Sequence, residues 1–463
     1  MTLPIPDLKK AVLSFLNNLK SVDINKETLV SFAYKLDETD FLSIIDPLLT
    51  EDKKVFYFNR PEERLILLAF EEAYFLNITE ENNFSILENT ISDLSKKRIS
   101  NFDFTSNDTF PLFLGGTKFS SGCKSEEWKD FADNGWFIPR FLFYKKGEDH
   151  WLILNFYIDA KYPPQDQLDF LITLERIKNN EFICQNNPAI IKFLINDNDR
   201  EKWYSLISNA LLKIEEGFFR KVVLSRRIVT RIKKYPLFSN ILQELTVNYN
   251  NCTIFLYKSG NSVLFGATPE QLLKLNQNEL EFDALAGSAK RGETEEEDNT
   301  IANNLISDNK NTQEHNYVID FIREASLTYV YNLRQFDTRI KKYSNIQHIY
   351  TPIKAELKSS EHLYNLINAI YPTPAICGSP KGSALKYIKE NEGFDRGMFS
   401  GIIGSISPEK MDLVVAIRSA LLNDNNLYIY AGCGIVKGSD PASEYEETEI
   451  KMNTILSLFN NEN

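Results

Sequence analysis

Three apolar runs near the C-terminus set the tightest limit on what this chain can fold into. Gly401–Ile406, Leu413–Leu422 and Leu427–Ile435 are joined by the short polar connections Ser407–Lys410 and Asn423–Asn426. Connections this short leave no room for a crossover, so the runs must pair antiparallel, as a meander. The same style of patterning starts upstream. Lys221–Thr230 is rich in Val and Ile, and Thr253–Lys258 and Ser262–Ala267 flank a Ser-Gly-Asn turn, as in a hairpin. Leu272–Leu275 and Leu280–Leu285 continue that pattern, and Phe110–Leu114, Phe141–Tyr144 and Trp151–Ile158 read as further strands. Helical spacing is found at Leu8, Val12, Phe15 and Leu19, and across Asn299–Ile306, Glu314–Thr328, Leu363–Ile370 and Ser383–Glu390. Helical stretches are also expected in 163–215, ending in Trp203–Ile214. Strand groups and helix groups are segregated rather than alternating. This predicts an α+β fold: a large antiparallel sheet, helices packed on its outside, one compact domain.

Charge narrows the function classes. The formal net charge is −12, and binding to nucleic-acid phosphates needs a basic face, so a nucleic-acid partner is excluded. An acidic chain that handles an anion must focus positive charge into one pocket, from Lys, Arg or a bound cation. The five cysteines, Cys123, Cys184, Cys252, Cys377 and Cys433, are scattered and form no CxxC pair. They read as buried thiols in a reducing compartment. Met1–Lys20 lacks the features of a signal peptide, and no run approaches the ~18 apolar residues that span a bilayer. A cytoplasmic location without membrane contact is expected.

Asp440-Pro-Ala-Ser-Glu-Tyr-Glu-Glu-Thr-Glu-Ile-Lys451 is the most informative segment. Asp440 or Ser443 can cap a helix and Pro441 suits its first turn. On that helix Glu444, Glu447 and Lys451 share a face, while Glu446 and Glu449 point elsewhere. Hard carboxylate oxygens at this spacing suit Mg²⁺, and a solvated acidic helix start fits the same pattern. Gln313-Glu314-His315 opens a predicted helix and can supply a further ligand. Arg418 is predicted inside a strand among small residues, where bidentate carboxylate binding and a structural ion pair are both open. Gly432 and Gly434 follow a strand and allow an anion close to the backbone. Ala286-Gly-Ser-Ala-Lys-Arg-Gly292 lacks phosphate-loop spacing, yet Gly287 and Ser288 can cradle a carboxylate. Lys221 opens an apolar strand, a setting that suits either a base or a snorkelling amine. Glu270 follows Gly266-Ala-Thr-Pro and is a candidate acid.

In their order, these segments resemble the chorismate-utilising enzymes, and among them the isochorismate synthases. The resemblance rests on Lys221-Val-Val-Leu-Ser-Arg226, Phe265-Gly-Ala-Thr-Pro-Glu270, Leu285-Ala-Gly-Ser-Ala-Lys-Arg-Gly292 and Tyr371-Pro-Thr-Pro-Ala-Ile-Cys-Gly378. It continues through Gly393-Phe-Asp-Arg-Gly397, Ala416-Ile-Arg418, Ala431-Gly-Cys-Gly-Ile435 and Glu444-Tyr-Glu-Glu-Thr448. A fainter likeness begins at Gly115-Gly116 and includes Trp136-Phe-Ile-Pro-Arg140. Residues 1–100 then form the weakly diagnostic N-terminal part, and 101–463 the chorismate-binding region with its motifs in 215–460. The resemblance implies Mg²⁺-dependent conversion of chorismate to isochorismate. Water adds at C2 with Lys221 as base, both double bonds shift, and the C4 hydroxyl leaves with a proton from Glu270. It also implies Mg²⁺ held by Glu314 and Glu447 with Glu444 close by, substrate carboxylates bound by Arg418, Gly432 and Lys451, and Gly287 and Ser288 lining the pocket.

Some positions depart from the family. Tyr371 stands where His is usual, Glu449 where some members have Gly, and Ser405 where an aromatic is common; His348 matches a family His. Lys221 argues against anthranilate synthase, which has Gln there and uses a glutaminase partner, so no such subunit is expected and a monomer is. Salicylate synthase, which also eliminates pyruvate and tends to carry Thr at the Ser288 position, is the alternative within the family. A degenerate, non-catalytic chorismate-binding homologue is the alternative from a different functional class. Menaquinone and siderophore synthesis both begin with isochorismate, and the sequence does not choose between them.

Overall fold

The strands of this chain are apolar on whichever faces they bury. In Val55–Arg60, Phe56 and Phe58 join a cluster with Phe137, Leu142, Phe255, Tyr257, Leu264 and Tyr430. Val55 and Tyr57 point the other way, into a cluster with Phe70, Phe143, Ile254 and Phe265. A strand covered on both faces has no solvent side, so Val-Phe-Tyr-Phe runs apolar without alternation. The computed structural model describes residues 5–461 apart from 20–26, 51, 80–83, 103–109, 111, 123–124, 159–174, 176–189 and 193–197.

Pairing runs in two arms from the strand Asn134–Lys146. One arm passes through Leu65–Asn77, Val55–Arg60, Thr253–Ser259, Ser262–Thr268, Ser419–Asn423 and Asn426–Val436 to Lys221–Ile232. The other passes through Phe113–Thr117, Ile402–Ile406, Lys410–Val415, Gln271–Asn276 and Glu279–Lys290 to Ile346–Leu357. Every one of these pairings is antiparallel. Asp149–Ile158 and Thr28–Leu36 extend the sheet beside Asn134–Lys146. Phe255, Leu264 and Tyr430 of the first arm meet Ile403 and Val414 of the second in one cluster, so the arms face each other across it. Helices cover the outside. Val318, Ile319 and Ile322 of Asn309–Ser326 join Leu280, Phe282 and Ala284, and Met452 and Ile455 of Pro441–Leu456 join the cluster on the opposite side. The fold is a single α+β domain with a large antiparallel sheet and outer helices. Residues 1–100 contribute Thr28–Leu36, Val55–Arg60 and Leu65–Asn77 to that sheet.

Two expectations are corrected. The run Leu413–Leu422 is not one strand, and Arg418 is not inside one. The strand ends at Val415 and resumes at Ser419. Between them the Ala416 amide donates to Gly401 O, the Ile417 amide to Val415 O, and Arg418 takes a φ of 52°. Ala416 and Ile417 are apolar on either path, so hydropathy carries no trace of the break. Second, Glu314 does not open its helix. That helix starts at Asn309, capped by the Asp308 carboxylate, which accepts from the Asn311 amide. Its first turn is polar and lacks the apolar period that marks helices, while the cap gives the start away. Most of 163–197, where helical stretches are expected, lies outside the described residues, as do Cys123 and Cys184. Cys252, Cys377 and Cys433 are buried free thiols.

Candidate active site

Residues from both arms of the sheet wall one cavity. Of the candidate residues, Glu270, Gly287, Ser288, Glu314, Arg418, Gly432, Glu447 and Lys451 line it. Lys221 sits just behind this wall with no exposed surface, its Nζ 2.9 Å from Glu314 Oε1. That contact lacks hydrogen-bond alignment, and among the described residues Lys221 Nζ has no other hydrogen-bond partner. Gly434 makes the approach possible, because a Cβ there would lie 2.2 Å from Glu314 Oε1 and 2.9 Å from Lys221 Cε. Glu444 is buried but does not line the cavity; it faces Lys310 Nζ at 2.8 Å.

Glu270 follows the strand Ser262–Thr268, whose last residue, Thr268, receives the Glu270 amide on its Oγ1 at 3.2 Å. Burial pushes the Glu270 carboxyl up to about 7, against the opposing charge of Lys221 and a hydrogen bond from Thr373, whose Oγ1 lies 3.5 Å from Glu270 Oε1. A carboxyl in this range can both hold and release a proton near neutral pH.

Arg418 reaches the cavity from its left-handed turn. Its Nη2 lies 3.0 Å from His348 Nε2. A guanidinium only donates, so His348 Nε2 accepts and the ring proton sits on Nδ1. That nitrogen lies 3.0 Å from Ser288 Oγ and 3.2 Å from Gly287 O. Burial, then the charges of Arg418 and Lys451, hold the imidazole well below its usual pKa, so it stays neutral. His348 therefore ties Arg418 to the bulge at Gly287–Ser288 in the strand Glu279–Lys290, a role its sequence context does not disclose. Lys451 Nζ donates to Gly432 O at 2.9 Å, on the edge of Asn426–Val436 left open where Ser419–Asn423 stops pairing. Tyr371 donates its hydroxyl to Ser400 O at 3.0 Å, and Ser400 lines the cavity.

Three glutamates each carry a lysine: Glu314 with Lys221, Glu444 with Lys310, and Glu447 with Lys451 at 2.5 Å. Burial and the charge of Glu447 raise the Glu444 carboxyl; burial also pushes Glu447 up, but Lys451, Lys310 and a hydrogen bond from Ser288 together outweigh it and hold that carboxyl low. Among the described residues, no three His, Cys, Asp or Glu side chains form a ready-made metal cluster. The donor chemistry is nevertheless that of a hard divalent cation: carboxylate oxygens from two helices, held beside one cavity, each with a lysine side chain against it. Glu446 and Glu449 are exposed, and Glu449 pairs with Arg226.

Sequence reasoning misses Lys310 and Thr373. Lys310 lies one helical turn before Glu314, and Thr373 falls within the Tyr371–Gly378 motif. Either position could have prompted a search for a partner, but neither partner is near it in sequence.

A family model described as chorismate binding enzyme matches residues 14–460. The chain is 28% identical over 472 residues to the isochorismate synthase MenF of Bacillus subtilis, covering 98% of each protein. It is also 28% identical over 440 residues to the salicylate biosynthesis isochorismate synthase of Pseudomonas aeruginosa, covering 93% of this chain and 90% of that one. The solved structure of the menaquinone-specific isochorismate synthase MenF from Escherichia coli matches in fold, with a TM-score of 0.80 and 21% identity, over 98% of this chain and 100% of that chain. No helix among the described residues is long and apolar enough to cross a membrane.

Proposed function

Because this chain belongs to the chorismate binding enzyme family, we propose that it is an isochorismate synthase, converting chorismate to isochorismate. The observation that carries the reading is a buried lysine, and a buried carboxyl raised to about 7, beside one cavity that also presents Arg418 and Lys451. Lys221, as the free amine, takes a proton from the water that attacks C2 and so becomes an ammonium. The two double bonds shift, and Glu270 gives its proton to the departing C4 hydroxyl. One water is consumed and one released. An acid and a base acting at separate ring positions suit this displacement, and the acid must arrive protonated. Arg418, Lys451 and the open backbone edge at Gly432 bind the substrate's two carboxylates, with Gly287 and Ser288 along the pocket wall. Glu314 and Glu447, with Glu444 beside them, would hold Mg²⁺, and that ion supplies extra positive charge for a dianion in an acidic protein. The reading needs no glutaminase partner, because water is the nucleophile. A monomeric cytoplasmic enzyme is part of the same proposal.

The test is to incubate the protein with chorismate and Mg²⁺, with and without ammonium, and to identify the products. Isochorismate alone supports the proposal. Salicylate with pyruvate assigns the chain to salicylate synthesis instead, anthranilate formed with ammonium assigns it to amination, and no product leaves only chorismate binding.

A further inference from the structure

Gly393-Phe-Asp-Arg-Gly397 takes no part in the chemistry above, yet its arginine is more fully engaged than any group in the cavity. We propose that Arg396, paired with Glu392, is a positioning device that holds the Lys221 strand against the segment supporting Glu270. The inference rests on the reading of the site as one that converts chorismate.

Both side chains are 1% exposed. Arg396 Nε donates to Glu392 Oε2 at 2.8 Å, and Nη2 closes a second bond to Oε1. The pair then reaches outward to backbone. Arg396 Nη1 donates to Ile376 O at 2.8 Å, Nη2 donates to Val223 O at 2.8 Å, and Glu392 Oε1 accepts the Ser225 amide at 2.8 Å. Val223 and Ser225 are two residues apart, so their backbone groups face the same edge of Lys221–Ile232. On that edge the strand first pairs with Gly378–Ser379, and the Val223 amide donates to Cys377 O at 2.9 Å. There the strand partner ends. The ion pair continues the ladder in its place, offering a donor to Val223 C=O and an acceptor to Ser225 N–H. A planar guanidinium–carboxylate fork can present both at fixed spacing, and otherwise these buried backbone groups would lack partners.

The placement bears on catalysis. Val223, Ser225 and Ile376 all line the cavity. Lys221 lies two residues before Val223, and Thr373, three residues before Ile376, donates to Glu270. A single ion pair thus ties the strand of the base to the segment that orients the acid. The segment is anchored from behind as well, since Asp395 Oδ2 accepts both the amide and the hydroxyl of Ser125 at 3.0 Å. The substrate-binding groups Arg418, Gly432 and Lys451 receive no bond from the pair. Loosening it should therefore disturb turnover and spare binding.

Two variants test this. Arg396→Lys keeps the charge but loses the fork. Glu392→Gln/Arg396→Met removes both charges, so that neither is left buried alone. Each is expected to melt cooperatively and to lower kcat by about 10- to 100-fold, with the KM for chorismate within about threefold of the parent, as misplacement of reacting groups does. A folded double variant with parental kcat overturns the inference, and so does a loss carried wholly by KM. A parent that leaves chorismate unchanged overturns the activity reading and the role of the pair with it. An active parent beside a fully active double variant overturns only the role.

Discussion

Glu270 concentrates the cost of this site in one side chain. Burial raises its carboxyl from 4.5 to about 7. Between those values the folded chain binds more protons than the unfolded chain, so stability falls as pH rises through that window and the penalty is complete above about 7. Removing the charge removes the penalty. Glu270→Gln should abolish conversion and yet be more stable than the parent at pH 8, by at most about 3 kcal/mol, with the difference fading by pH 5. Denaturant titrations at the two pH values decide it; an equal difference at both pH values refutes the assignment. The parent's kcat/KM should itself decline as pH rises past about 7, because the acid then arrives without its proton. Arg418 carries a cost of a different kind. Its φ of 52° is a backbone state that a Cβ disfavours. Arg418→Ala keeps that strain and loses the guanidinium, whereas Arg418→Gly relieves it. The glycine variant should be the more stable by about 1 kcal/mol, with KM for chorismate raised about 10-fold or more in both. Equal melting temperatures would show that the turn carries no strain.

The helix Pro441–Leu456 shows what an element adds to its residues. Its capping by Asp440 and the shared face of Glu444, Glu447 and Lys451 are legible from spacing, since a helix fixes the angle between positions. What each carboxylate faces is not legible, because that depends on another element. Lys310 meets Glu444 across 134 residues of sequence, through the docking of Asn309–Ser326, and it turns Glu444 from the cavity. Strands show the same limit. The hairpin Thr253–Ser259 with Ser262–Thr268 follows from its short turn, but the interruption at Ala416–Arg418 is set by bonds to Gly401, just before the strand Ile402–Ile406, and to Ala267, on the strand Ser262–Thr268. Lys221 and Glu270 could be singled out because they stand in motifs whose order is itself informative; Thr373 and Arg396 stand in such motifs too, but their partners exist only in the folded chain. The two glutamates should therefore behave differently. Glu447→Ala should remove Mg²⁺-dependent turnover and weaken Mg²⁺ binding in calorimetry about 10-fold or more, while Glu444→Ala, one step removed from the cavity, should have the smaller effect on both. The reverse order would place the metal on the Lys310 side.

At the scale of the molecule, the N-terminal hundred residues and the catalytic motifs are parts of one sheet. Val55–Arg60 lies between Leu65–Asn77 and Thr253–Ser259, and Thr253–Ser259 leads by way of Ser262–Thr268 and the final hairpin to the Lys221 strand. Removing residues 1–100 would cut this path, leave Thr253–Ser259 as an unpaired edge, and strip Phe56, Phe58 and Leu67 from the cluster between the two arms. Each lost aromatic withdraws several kcal/mol of burial, about 3–5 for a Phe in a packed core, and the total stability of a domain is on the order of 5–15 kcal/mol. The fragment 101–463 should therefore fail to fold although it holds every proposed catalytic and binding residue. It should show no cooperative thermal transition by circular dichroism, bind a hydrophobic dye and aggregate, as long apolar strand edges do when uncovered. A fragment that melts cooperatively and converts chorismate would show instead that the site's geometry is set within residues 101–463 alone. That outcome would also predict that the N-terminal strands can be exchanged without touching kcat. In the structure they cannot be exchanged so freely, because the Lys221 strand, whose Val223 and Ser225 line the cavity, and the N-terminal strands share one hydrogen-bonded path.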